Sequence, residues 1–167
     1  MRLSAGAPVD TMNTLAKIKQ YLDKNNVPYQ VILHEEVYTA QELAQALHVP
    51  GKELVKVVVI KADDRYCMAV LPSVRKIDLS ALQLLLNAAT LTIAAEQEIK
   101  ELFPESEIGA MPPFGHLAAM EVWVDSSLTK DEYITFNAGT HYEAIRMRYT
   151  DFDRLTLPHT ALFSTGI

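Results

Sequence analysis

A single cysteine stands in this chain of 167 residues. Cys67 therefore has no internal disulfide partner, and a reducing compartment is the natural expectation. Long apolar runs are missing too, since none reaches the roughly 18 residues of a membrane span. Residues 1–10 carry one Arg and no long apolar stretch, so they do not read as a secretory signal. A cytoplasmic protein with no membrane partner is expected. Positive charge is scarce, and the formal net charge is −6. Unaided nucleic-acid binders neutralise phosphates with Lys and Arg. DNA is thus not an expected partner, and any RNA would be touched over a small part or with help.

Several catalytic signatures are absent. His34, His48, His116, His141 and His159 form no HExxH and no Cys/His pair at zinc spacing, so neither a metal nor another cofactor is expected. There is no GxSxG elbow, P-loop or GxGxxG. Aromatic and basic residues are not interleaved as on a single-strand binding platform. Cys67 falls in an apolar stretch, where a buried inert thiol is the expectation. Repeats, low-complexity tracts and Ser/Gly linkers are also missing.

What remains is the composition of a globular protein, 49% apolar and 22% charged. It divides into a loose arm over 1–10 and a single domain over 11–167. Leu15, Ile18 and Leu22 recur at helical spacing between Thr11 and Asn25. Tyr29–Leu33 reads as a strand. Thr39 with Glu42 is a capping-box signature for the next helix. The β-branched run 54–60, the Asp63-Asp64 turn and the run 66–71 predict a hairpin. Asp78 is placed to cap a helix running to Asn87. Strands at 91–94, 121–124, 133–136 and 144–148 follow, with a helix around Ile99 and Leu102 and a last one capped by Thr150. Strands and helices do not alternate regularly. The fold class expected is α+β, with a mixed, curved or barrel-like sheet surrounded by helices.

Within the first run of that hairpin, Lys56 shares a strand face with Leu54 and Val58. It must snorkel over them from a rim, pair with an acid, or project into a polar cavity, where a cation counts for more than in water. A second feature is Gly109-Ala110-Met111-Pro112-Pro113-Phe114-Gly115. Its glycines free the backbone and its prolines stiffen it, so it can hold N–H donors toward an oxygen, although most such loops are plain connections. Any donors belong to Gly109, Ala110, Met111, Phe114 or Gly115, because proline has none. In Asn137-Ala-Gly139-Thr140-His141, Gly139 suits a tight bend, and His141 is either a base or substrate contact or an exposed turn residue.

In order and spacing, three segments resemble the YbaK/prolyl-tRNA synthetase-associated domain family: His34-Glu-Glu-Val-Tyr-Thr-Ala-Gln-Glu-Leu-Ala44, Val55-Lys-Val-Val-Val-Ile-Lys61 and Gly109–Gly115. The stretch from Phe136 to Met147 is similar to the family's C-terminal segment. The likeness covers roughly residues 13–157 and is strongest to free-standing members. It implies metal-free hydrolysis of mischarged aminoacyl-tRNA, with a synthetase as possible partner. It implies catalytic roles for Lys56 and Gly109, and substrate contacts at Ala110, Met111, Pro112, Pro113, Phe114, Gly115, Gly139, Thr140 and His141. The alternative is a module that binds an aminoacyl-nucleotide or other small ligand without turnover. Lys52, Arg75, Lys76, Arg146 and Arg148 are either a small patch for an acceptor stem or solvated surface charges.

Overall fold

In a computed structural model, residues 13–37 and 39–166 are described; the expected arm over 1–10 lies outside them. Helix α1 (Thr14–Lys24) starts where the Asn13 side chain accepts the Ala16 N–H at 2.8 Å, and it turns Ile18 and Leu22 inward. Strand β1 is Tyr29–Leu33. Helix α2 (Ala40–Leu47) has the anticipated capping box between Thr39 and Glu42. Strands β2 (Val55–Ala62) and β3 (Arg65–Pro72) pair antiparallel through the Asp63-Asp64 turn. Strand β4 is Lys76–Ile77, and α3 (Leu79–Leu86) begins where Asp78 accepts the Ala81 N–H. Then come β5 (Leu91–Ile93), α4 (Glu96–Leu102), β6 (Glu121–Asp125), β7 (Tyr133–Asn137) and β8 (Glu143–Arg148). The chain ends with α5 (Tyr149–Thr156), β9 (His159–Ala161) and β10 (Ser164–Thr165).

One expected cap is corrected. Thr150 lies inside α5, whose N-cap position is Arg148 with no side-chain cap. The Tyr149 N–H donates to Glu132 O at 2.9 Å, so β8 passes directly into the helix without needing a capping side chain. Strands β4, β9 and β10 have only two or three residues, too few to leave a periodic signal.

The expected α+β architecture is present. Five strands lie in the order β5-β2-β3-β6-β9, antiparallel from β5 to β3 and parallel from β3 to β9. A second, antiparallel sheet has the order β1-β8-β7, and β10 pairs with β4. A parallel bridge between Leu54 and Thr135 brings the start of β2 to β7.

The alternation along β2 feeds two cores. Val55 and Val59 join Met68, Val70, Phe114, Phe136 and Phe152 in the larger one, under α1 and α5. Ile60 joins Cys67, Ala69, Leu71, Leu82 and Leu86 in the smaller one, under α3. Burial pushes the Cys67 thiol up to about 11, the behaviour of an inert packing residue. No helix among the described residues is long and apolar enough to cross a membrane.

Candidate functional site

Backbone parity decides what β2 offers at its outer edge. The Ser73 N–H donates to Leu54 O at 2.8 Å, so Leu54, and with it Lys56 and Val58, turn their backbone groups toward β3. The Ala94 N–H donates to Val59 O at 2.9 Å, so the odd positions turn the other way, toward β5. Strand β5 pairs only with Ile60–Ala62. Val57 lies between that pairing and the Leu54–Thr135 bridge to β7, and no described strand is in register with it on this edge.

That open edge forms one wall of a cleft of about 280 Å³. Lys56, Val57, Ser73, Gly109, Met111, Asn137 and His141 contribute to its lining, with Thr39 and Leu43 closing it from α2. Lys56 is half-buried there. Among the described residues its ammonium has no carboxylate partner, and burial lowers its pKa from the ordinary lysine value. Lys61, on the opposite face of the strand, instead pairs with Glu98 at 3.4 Å.

The opposite wall consists of the two segments read separately in the sequence, now latched together. The Gly139 N–H donates to Ala110 O at 2.8 Å and the Glu107 N–H to Gly139 O at 2.7 Å. The His141 N–H donates to Glu107 Oε1 at 2.8 Å, and Nε2 lies 2.9 Å from Ile108 O. Because a carbonyl oxygen only accepts, that contact needs a proton on Nε2. Gly109 has φ +84°, a conformation that favours glycine, and a Cβ there would stand 3.6 Å from the His141 ring.

The candidate residues from the sequence fall into three places. Lys56, Gly109, Met111 and His141 meet in the cleft. Ala110 is buried and its N–H is used by Glu107 O at 3.0 Å, so Gly109 and Met111 are the loop residues whose N–H groups remain at the cleft. Pro112 and Pro113 are buried behind it, and Phe114 is fully buried, its ring 5.6 Å from both Phe136 and Phe152. Gly115 lies at the far end of the loop, where a Cβ would come within 2.2 Å of Met120 O. Gly139 has φ +105° and packs against Thr14 of α1, where a Cβ would come within 2.6 Å of Thr14 Cβ. The Thr140 hydroxyl donates to Glu143 at 3.0 Å.

Sequence reading overlooked Asn137. Its Oδ1 is buried in the cleft wall with no hydrogen-bond partner. An orphaned buried amide costs about 1–3 kcal/mol and calls for an explanation, of which a missing ligand group is one. Its position at the end of a strand, next to a turn, gave it the look of a turn residue.

A strand lysine, donors from a glycine-containing loop and an absence of carboxylates in the lining make a cleft suited to an oxygen-rich, anionic or ester-bearing ligand. The chain belongs to the aminoacyl-tRNA editing domain family, whose model matches residues 34–155 and so spans every residue lining the cleft. In fold it is similar to a candidate trans-editing enzyme for prolyl-tRNA synthetase, with 22% identity, a TM-score of 0.80 and coverage of 92% of this chain and 98% of that one. It is also similar to a hypothetical protein with 17% identity and a TM-score of 0.80, over 89% and 99% of the two chains. A third likeness is to a candidate signal-transduction protein from Marinobacter aquaeolei, with 19% identity and a TM-score of 0.70, which covers 90% of this chain but 30% of that one. No curated protein matches the sequence.

Proposed function

We propose that this protein is a deacylase that hydrolyses mischarged aminoacyl-tRNA in trans, with the Lys56 cleft as its active site. The observation that carries this reading is that Lys56, without an ion pair among the described residues, shares a cleft of about 280 Å³ with Gly109 and Met111. Membership of the editing-domain family supplies the substrate class. In this reading Lys56 anchors the acceptor end by its terminal phosphate or a backbone oxygen. The Gly109 and Met111 N–H groups polarise the ester carbonyl and take up the charge that develops on its oxygen. A water oriented by the neighbouring ribose hydroxyl attacks the carbonyl carbon. The ester C–O bond then breaks, the free amino acid leaves, and the proton passes to the ribose oxygen. No protein nucleophile and no metal is required, because an ester has a good leaving group and positioning does much of the work.

The remaining loop residues support this arrangement. Ala110 and Gly139 hold the two segments in register, Pro112 and Pro113 stiffen the loop, and Phe114 and Gly115 fasten its far end. Thr140 shapes the turn that presents His141. Asn137 receives a hydroxyl of the ribose. The size of the cleft admits small aminoacyl groups and rejects bulkier ones, the second sieve of a double-sieve scheme. The likeness to a candidate trans-editing enzyme for prolyl-tRNA synthetase makes a synthetase of that kind the natural partner.

The experiment is deacylation of a panel of labelled alanyl, seryl, cysteinyl and threonyl esters on cognate and mismatched tRNAs. Hydrolysis of one mischarged species well above the buffer rate is expected. No turnover across the panel by folded protein would replace this reading with that of a non-catalytic binding module.

A further inference from the structure

Five cations of this protein are each paired with one carboxylate. Lys17 pairs with Glu105, Lys61 with Glu98, Arg146 with Glu53, Arg148 with Glu132 and Arg154 with Asp151. Arg146 and Arg148 also lie over the Tyr133 ring, at 4.0 and 5.4 Å from its centroid. They are thereby withdrawn from any patch shared with Lys52 and Arg75.

One groove departs from this pattern. It has a volume of about 440 Å³ and is lined by Lys52, Arg75, Lys130 and Asp131, with Pro72 and Val74 as its apolar wall. Three cations share one carboxylate, which leaves a surplus of two positive charges in a protein whose net charge is −6. Asp131 is nearly buried, its side chain 6% exposed, and it reaches only Lys52, at 3.7 Å. Glu53, the nearest other acid, is already taken by Arg146. Among the described residues Lys130 has no ion pair. Arg75 is held by two bonds to Ser164, Nε to Oγ at 2.6 Å and a terminal nitrogen to the carbonyl at 3.2 Å, which orient the guanidinium and leave its remaining N–H groups available.

The groove is next door to the Lys56 cleft. Pro72 and Val74 line the groove, while Ser73 between them lines the cleft. Lys52 precedes Lys56 by four residues, across the short turn Gly51–Glu53. The segment 72–74 thus separates the cleft from the groove that carries the three cations.

We infer that this groove, through Lys52, Arg75 and Lys130, holds the phosphate backbone of the RNA whose aminoacyl end occupies the Lys56 cleft. The inference rests on the deacylase reading and adds to it the surface that receives the rest of the substrate. An RNA is favoured because a polyanion is covalently joined to the ester in the cleft, so the second contact forms at high effective concentration. Each phosphate neutralised adds roughly 0.7–0.9 to the slope of log affinity against log salt. The acidic remainder of the protein confines that attraction to the groove.

The test compares the wild type with Lys52→Gln/Lys130→Gln, using binding of fluorescein-labelled uncharged tRNA across a salt series. Melting temperatures and hydrolysis of an alanyl ester on a CCA trinucleotide are measured alongside. The inference expects tRNA affinity to fall tenfold or more in the variant and the salt slope to flatten by about one to two units, with trinucleotide hydrolysis unchanged and the protein still folded at the assay temperature, although Asp131 loses Lys52 as its partner. Unchanged tRNA affinity and slope would overturn it, as would wild type that hydrolyses the trinucleotide ester without binding tRNA. The latter result leaves the deacylase reading standing. Equal or tighter lysine-dependent binding of poly-glutamate would overturn the choice of RNA. Failure to hydrolyse any ester, with tRNA still held through the two lysines, would sink the deacylase reading instead.

Discussion

Two clefts open at the two ends of the Gly109–Gly115 loop, and the larger one, of about 350 Å³, is not the one with unsatisfied chemistry. At the Gly115 end most side-chain polar groups have partners, and His116 makes ring contacts with Tyr21 and Phe114. The Tyr21 and His116 rings lie 4.3 Å apart, and the Tyr21 hydroxyl reaches Leu155 O at 3.4 Å. His159 stacks on Trp123 and lies 3.7 Å from Glu121, which also accepts the indole N–H at 2.9 Å. At the Gly109 end the cleft is smaller, yet among the described residues it holds a cation with no ion pair, a buried amide oxygen with no hydrogen bond and a stretch of strand edge with no partner in register. What marks a site is polar groups kept without partners at a cost to stability, not empty volume.

The contrast predicts a ranked set of responses. Phe114→Ala removes the ring at the centre of the larger core and should cost about 3–5 kcal/mol of stability; thermal or urea unfolding measures it. A loss below about 1 kcal/mol would mean that Phe114 serves the ligand rather than the core. Gly109→Ala places a side chain at φ +84° against His141, costing about 1–2 kcal/mol and lowering deacylation tenfold or more. Loss of activity without loss of stability at this position would show that the Cβ obstructs substrate rather than straining the loop. Asn137→Ala removes a buried amide oxygen that has no partner among the described residues, so stability should hold or rise while kcat/KM falls about tenfold. Stability falling with activity would mean that the amide is structural. His116→Ala, at the occupied cleft, should leave deacylation within twofold of wild type, and a larger loss would break the contrast between the two ends.

Lys56 adds a pH dependence with a definite sign. Burial lowers its folded-state pKa, so the ammonium that anchors the substrate should be lost at a pH below the ordinary lysine value of 10.5. The enzymatic rate, corrected for spontaneous ester hydrolysis, should be flat at neutral pH and fall on the alkaline side. Lys56→Arg should remove that fall wherever it retains activity. An alkaline limb that persists in the Arg variant would assign the titration to another group.

Much of the fold was legible locally. The hairpin of β2 and β3 announces itself through β-branched runs on either side of Asp63-Asp64, and the α2 and α3 starts through Thr39 and Asp78, each next to apolar periodicity. Lys56 stood out because a lone cation interrupts an apolar strand face. What was illegible is long-range. The latch between residues 107–110 and 139–141 joins segments about thirty residues apart, and nothing in either one predicts the other. Asn137 looks like an ordinary turn residue until the fold buries its amide without a partner. The open edge at Val57 depends on β5 being only three residues long, which no feature of β2 itself encodes.

The most direct test is single-turnover deacylation of one mischarged aminoacyl-tRNA by wild type, Lys56→Ala and His116→Ala side by side, each checked for its melting temperature. The account predicts a loss of roughly a hundredfold or more in Lys56→Ala, as for removal of a transition-state donor, with melting unchanged and His116→Ala near wild type. Full activity in Lys56→Ala, or an equal loss in His116→Ala, would contradict the placement of the active site in the smaller cleft.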